Sequence, residues 1–172
     1  MANLTKIGPD KRPVGETPVC VFHRATTPGK GELPLELRGQ VYQKESTRIQ
    51  ILTLSEFLEL GEQYADEIRQ IRQTTDKNER SRLKKDLLPA GCISCQVKTR
   101  MAGVRKEDKI EAYNSLIVLD FDHLEDITRA KQDLAQLPFI WYIGLSVSGE
   151  GLFAIVPVDT DDWRDQIGRA HV

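Results

Sequence analysis

Apolar side chains recur at three- and four-residue steps over Phe57, Leu60, Tyr64, Ile68 and Ile71. That stripe predicts one amphipathic helix over 53–74, opened by Thr53 and Glu56 as a capping box. A second helix is expected from about Asp76 to just before Pro89, with Leu83 and Leu87 facing inward. Shorter β-rich runs read as strands: Pro18–His23, Cys92–Val97, Ser115–Asp122, Phe139–Ser146 and Leu152–Val158. Between the third and fourth of these, 125–137 has Ile127, Ala130, Leu134 and Leu137 on one side of a helix. Acidic residues occupy its first turn, and Pro138 stops it.

The order in the C-terminal third is strand, helix, strand, strand. Ser148-Gly149-Glu150-Gly151 joins the last two strands too tightly for a parallel crossover, so they form an antiparallel hairpin. This predicts an α+β fold, a mixed sheet with helices on one face, rather than a doubly wound parallel sheet. Residues 1–16 are polar and broken by Gly and Pro, and read as a flexible N-terminus. Residues 17–166 then form one domain. Ile167–Val172 looks like a translated sequencing adaptor, so the domain is expected to be truncated, and His171 is given no role.

Composition narrows the picture modestly. The net charge of −2 carries no global basic signature, so a nucleic-acid surface must be local. Such a surface is available: Arg69 to Lys109 holds twelve Lys or Arg against five Asp or Glu. Arg80, Arg82, Lys84, Lys85, Lys98, Arg100 and Arg105 are the candidate DNA contacts. Three cysteines do not make a disulfide framework. With no apolar run long enough to span a bilayer and no secretion signal, a cytoplasmic location is expected. Cys20-x-x-His23 and Cys92-x-x-Cys95 have zinc-ligand spacing, but residues three apart on a strand face opposite sides, so core roles are expected.

The candidate chemistry centres on Asp120-Phe121-Asp122. Alternation along a strand puts both carboxylates on one face, with Leu119 and Phe121 in the opposite layer. Like charges side by side call for a cation, and an oxygen-only pair suits Mg²⁺ or Mn²⁺. Asp120 and Asp122 are thus the candidate catalytic and metal-binding residues. Ser146, Ser148, Gly149 and Gly151 lie on the neighbouring hairpin, where hydroxyls and glycine backbone can meet phosphate oxygens.

Taken together, Pro18–Phe22 followed by Thr27-Pro28, the segment from Ile68-Arg69 through Lys84–Ala90, Ser115–Asp122 and Ser146–Val158 resemble the virulence-protein-E type N-terminal domain. That domain is a branch of the archaeo-eukaryotic primase superfamily. The resemblance implies a primase-like fold with an RNA-recognition-like sheet, in a replication protein carried by mobile elements. It implies a DNA primase or nucleotidyltransferase acting on DNA and nucleoside triphosphates. Asp120 and Asp122 would be its first metal motif, with a helicase or second primase module downstream. Phe153 stands where the superfamily's nucleotide-binding motif has a His, and the third acidic motif would fall beyond the truncation, so the fragment itself is expected to be inactive.

Two other readings fit parts of the pattern. The same fold without catalysis would be a DNA-binding module. Alternatively, LDFDHL resembles the opening motif of haloacid-dehalogenase-type phosphatases, in which the first Asp is a nucleophile and the second a general acid. Leu124 stands where that family has Thr or Val.

Overall fold

The computed structural model describes residues 13–22, 49–98 and 106–159. The chain enters through a 3-10 turn, Val14–Glu16, whose Val14 is fully buried. Val14 and Gly15 are therefore buried in the fold, and the expected flexible N-terminus does not reach as far as residue 16. Strand β1 (Pro18–Phe22) follows, buried along four of its five residues. It pairs antiparallel with β2 (Ile49–Thr53) on one side and β3 (Ala90–Cys92) on the other. β2 is absent from the sequence reading, because its pattern is half exposed and Ile51 faces solvent.

The helix expected over 53–74 is two helices, α1 (Leu54–Gln63) and α2 (Ala65–Gln73). The Thr53–Glu56 capping box is present, with Glu56 N–H donating to Thr53 Oγ1 and Thr53 N–H to the Glu56 carboxylate. The helical path breaks at Tyr64, at φ −103 and ψ 25. The break has a packing reason. Phe57, Leu58 and Leu60 join the main core around Leu54, Val19 and Ile155. Tyr64, Ile68 and Ile71 join a separate cluster with Leu83 and Leu88. One straight helix could not serve both.

Helix α3 (Lys77–Leu87) begins at Asp76, whose carboxylate accepts from Glu79 N–H, as its sequence suggests. The expected strand at Cys92–Val97 is instead split into β3 and β4 (Cys95–Val97), which lie in different sheets. β4 pairs with β5 (Ile110–Tyr113), which follows a short helix, α4 (Lys106–Lys109). Because of that split, Cys20, Cys92 and Cys95 meet in one apolar cluster with Phe22 and Val97. Burial pushes the Cys95 thiol up to about 11.

The third sheet contains β6 (Leu116–Phe121), β7 (Tyr142–Leu145) and β8 (Leu152–Pro157), in the order β6-β8-β7. β8 is antiparallel to both neighbours, so β6 and β7 run the same way with β8 inserted between them. Helix α5 (Ile127–Ala135) makes the crossover, giving a split βαβ unit. The expected hairpin of β7 and β8 is therefore present, and the protein is α+β with small antiparallel sheets. No helix among the described residues is long and apolar enough to cross a membrane.

Candidate functional site

β6 changes character along its length. Leu116 is buried and Val118 packs on the core, whereas Asp120 and Asp122 are exposed. The expectation of a buried-type strand thus holds only for its first half. Leu119 on the other face is 37% exposed, so it does not fill an opposite layer.

The register shows which residues share the acidic face. Val118 stands opposite Ile155, which stands opposite Tyr142. The next row is Asp120, Phe153 and Gly144. Beyond it, Asp122, Gly151 and Ser146 continue the ladder: Ser146 N–H donates to Gly151 O at 2.9 Å. The carboxylates thus extend the core-facing stripe of β6 past the edge of the core. Among the described residues neither has a hydrogen bond or ion pair. His123 then takes a left-handed conformation, φ 57, and turns the chain away immediately after Asp122.

Gly151 is required by close approach. A Cβ there would lie 2.5 Å from Phe121 O and 3.2 Å from Asp122 Oδ1. Gly149 at the tip has φ 77, where side chains are strained. The Phe153 ring lies over Gly144, where a Cβ would be 2.3 Å from it, and contacts Tyr142 at 5.6 Å between centroids. Asp120 therefore has an apolar neighbour on the paired strand.

The turn between β7 and β8 serves itself first. Gly149 N–H donates to Ser146 O, and Gly151 N–H donates to Ser146 Oγ at 3.2 Å. Ser146 Oγ is also 3.1 Å from Ser148 Oγ. The two glycine N–H groups expected to meet phosphate are therefore committed inside the turn. Among the described residues the Ser148 hydroxyl is engaged by its contact with Ser146.

Helices α2 and α3 hold this turn, a contact with no local sequence signal. Val147 packs against the Ile71, Leu83 and Leu88 cluster. Arg72 Nε donates to Val147 O at 3.2 Å and Arg72 Nη2 to Ser146 O at 3.3 Å. Arg80 grips the Glu150 carboxylate with both terminal nitrogens, at 2.6 and 3.0 Å. That bond, helped by the fields of Lys77 and Lys84, holds Glu150 below the usual carboxylate range.

The proposed DNA-binding set is divided by these contacts. Arg80 is engaged with Glu150, and Arg82 with Glu79 and Asp86. Lys84 lies in the electrostatic reach of Glu150. Lys85 and Lys98 are exposed, while Arg100 and Arg105 lie outside the described residues. The basic excess counted along the sequence is thus partly neutralised within the fold. His23 also lies outside the described residues, and among them no three His, Cys, Asp or Glu side chains form a metal-holding group.

Fold and site define a small α+β domain whose split βαβ sheet ends in an exposed carboxylate pair beside an arginine-braced turn. Residues 82–170, just over half of the chain, match the family described as BT4734-like, N-terminal domain, and the chain belongs to that family. The match corrects the virulence-protein-E and primase resemblance: the segment carrying Asp120, Asp122 and the Ser146–Val158 motif falls within a different family. No curated protein and no solved structure matches the chain.

Proposed function

We propose that Asp120 and Asp122 form the cation-binding end of a phosphate-handling site that acts on nucleoside triphosphates and DNA. The observation that carries this reading is their placement: two exposed carboxylates on one face, without an ion pair among the described residues, in rows shared with Gly151 and Ser146. Mg²⁺ favours such sites, binding through one or two carboxylates and keeping its remaining positions for water and phosphate. Bound there, Mg²⁺ or Mn²⁺ would neutralise phosphate oxygens and lower the pKa of an attacking hydroxyl. Gly151, lacking a Cβ, lets the Asp122 carboxylate lie close over the start of β8. Ser148 supplies a hydroxyl on the same turn. The mobile-element setting rested on the primase resemblance alone and forms no part of this proposal.

A second reading is a nucleic-acid-binding module without catalysis. Phe153 favours it, because the position paired with Asp120 is apolar and packed on Tyr142. Calorimetric titration with Mn²⁺ separates the two. In the catalytic reading the Asp120→Asn, Asp122→Asn double variant folds normally and loses Mn²⁺ binding. Unchanged Mn²⁺ affinity in that variant, with oligonucleotide binding intact, would leave only the second reading.

A further inference from the structure

The Arg80–Glu150 pair is unequally placed: the Arg80 side chain is 13% exposed and that of Glu150 64%. The guanidinium lies on the inner side and the carboxylate covers it from solvent. Arg80 belongs to a stripe with Lys77 and Lys84 at three- and four-residue spacing on α3, so all three project to one side. Arg72 reaches the same turn from α2. Four cations therefore converge on a turn that contributes one carboxylate, Glu150. A planar guanidinium fork that accepts a carboxylate with two bonds accepts a phosphate in the same way.

We infer that Arg80, flanked by Lys77 and Lys84, is a binding site for a pyrophosphate-type anion, and that Glu150 occupies it as an intramolecular stand-in. An incoming diphosphate displaces the Glu150 carboxylate and takes over the fork. The exchange frees the tip of the turn carrying Ser148 and Gly149 beside the Asp120–Asp122 row, so ligand binding and turn release are coupled. The inference rests on the proposed function only for the source of the anion, the diphosphate tail of a nucleotide. The contacts within the turn support the assignment, because they leave the phosphate-binding task to side chains.

The test is calorimetric titration of the full chain with inorganic pyrophosphate at low salt in excess EDTA. Glu150→Gln keeps the side chain's shape and removes the competing charge. If Glu150 fills the fork about nine-tenths of the time, that variant binds pyrophosphate roughly tenfold more tightly than the unaltered chain. Arg80→Gln in the Glu150→Gln background should abolish the gain, while Arg80→Lys should recover only part of it. The Asp120→Asn, Asp122→Asn protein should show the same gain on Glu150→Gln, so failure of the metal reading would leave this result standing. A Glu150→Gln protein that melts cooperatively yet binds pyrophosphate no more tightly would overturn the inference. So would a gain that survives loss of Arg80, or tighter binding of a 5′-dephosphorylated oligonucleotide with none for pyrophosphate. If Glu150→Gln does not fold, added pyrophosphate should still weaken the Arg80–Glu150 bond in the unaltered chain. The Glu150 carboxylate resonance would then shift on titration, and an unmoved resonance at saturating pyrophosphate would reject the exchange.

Discussion

The two ends of the β6-β8-β7 sheet are held by different physics. At the inner end Leu116, Ile155 and Trp141 are buried together with Val14, Val19 and Leu54. Removal of apolar surface from water holds that end, and the effect is insensitive to pH and not weakened by salt. At the outer end Leu152 is buried and Val147 packs against the Ile71, Leu83 and Leu88 cluster. The rest is directional: two bonds from Arg72 to backbone carbonyls, the Arg80–Glu150 pair, and hydrogen bonds inside the turn. A rigid inner end fixes where the carboxylates stand. A polar outer end can rearrange when charge or ligand changes.

Ile155→Ala makes the largest break in that contrast. Ile155 is fully buried at the centre of the main cluster, so truncation leaves a cavity and costs about 2–5 kcal/mol. Urea denaturation should show one cooperative transition shifted to lower midpoint, with both ends lost together. A shift no larger than that of a surface substitution would mean that the inner end does not anchor the sheet.

Gly151→Ala sharpens the comparison, because it acts only at the outer end. The added Cβ meets the Phe121 carbonyl, which is backbone and cannot swing aside. The row must spread, at about 1–3 kcal/mol. The expected signature is a modest fall in midpoint with a larger loss of hydrogen-exchange protection at the N–H of position 151 than at the β8 amide opposite Val118. Uniform loss along β8 would show that the two ends are one unit.

How much of this contrast could be read from the sequence follows the range of each interaction. The Thr53–Glu56 box and the Asp76 cap are decided within three residues, and both formed as their residues suggest. The β7–β8 hairpin follows from a short glycine-containing link, and the shared face of Asp120 and Asp122 from strand alternation. The break at Tyr64 escaped, because the apolar stripe continues through it while its two halves serve different clusters. Cys92–Val97 read as one strand because nothing in Ile93-Ser94 announces a change of sheet. Arg72 and Arg80 meet the turn from 70 or more residues away. Local pattern carries no trace of such a contact, so a count of basic residues does not tell engaged arginines from open ones. The family resemblance failed for a related reason: short acidic and glycine-serine motifs mark a kind of chemistry and do not by themselves fix a family.

The smallest expected effect is the pH response of the outer end. Glu150 titrates below its ordinary value of 4.5, chiefly through its hydrogen bonds with Arg80. A carboxylate depressed in the folded state contributes stability above its ordinary value and loses it as pH falls through the depressed one. Acidification below about 4.5 should therefore loosen the turn while leaving the inner end in place, since among the described residues Leu116 and Ile155 are held in an apolar cluster. Hydrogen exchange at Gly149 N–H, followed from pH 6 downward and corrected for intrinsic rates, should accelerate relative to the β8 amides once pH passes below about 4.5. The acceleration should vanish in Glu150→Gln, which has no charge to lose, and should be mimicked at pH 6 by high salt, because the Glu150 carboxylate is exposed to solvent. Equal slowing or acceleration at both ends of β8 would mean that acid acts on the whole domain, and the division between an apolar inner end and a charge-held outer end would not survive it.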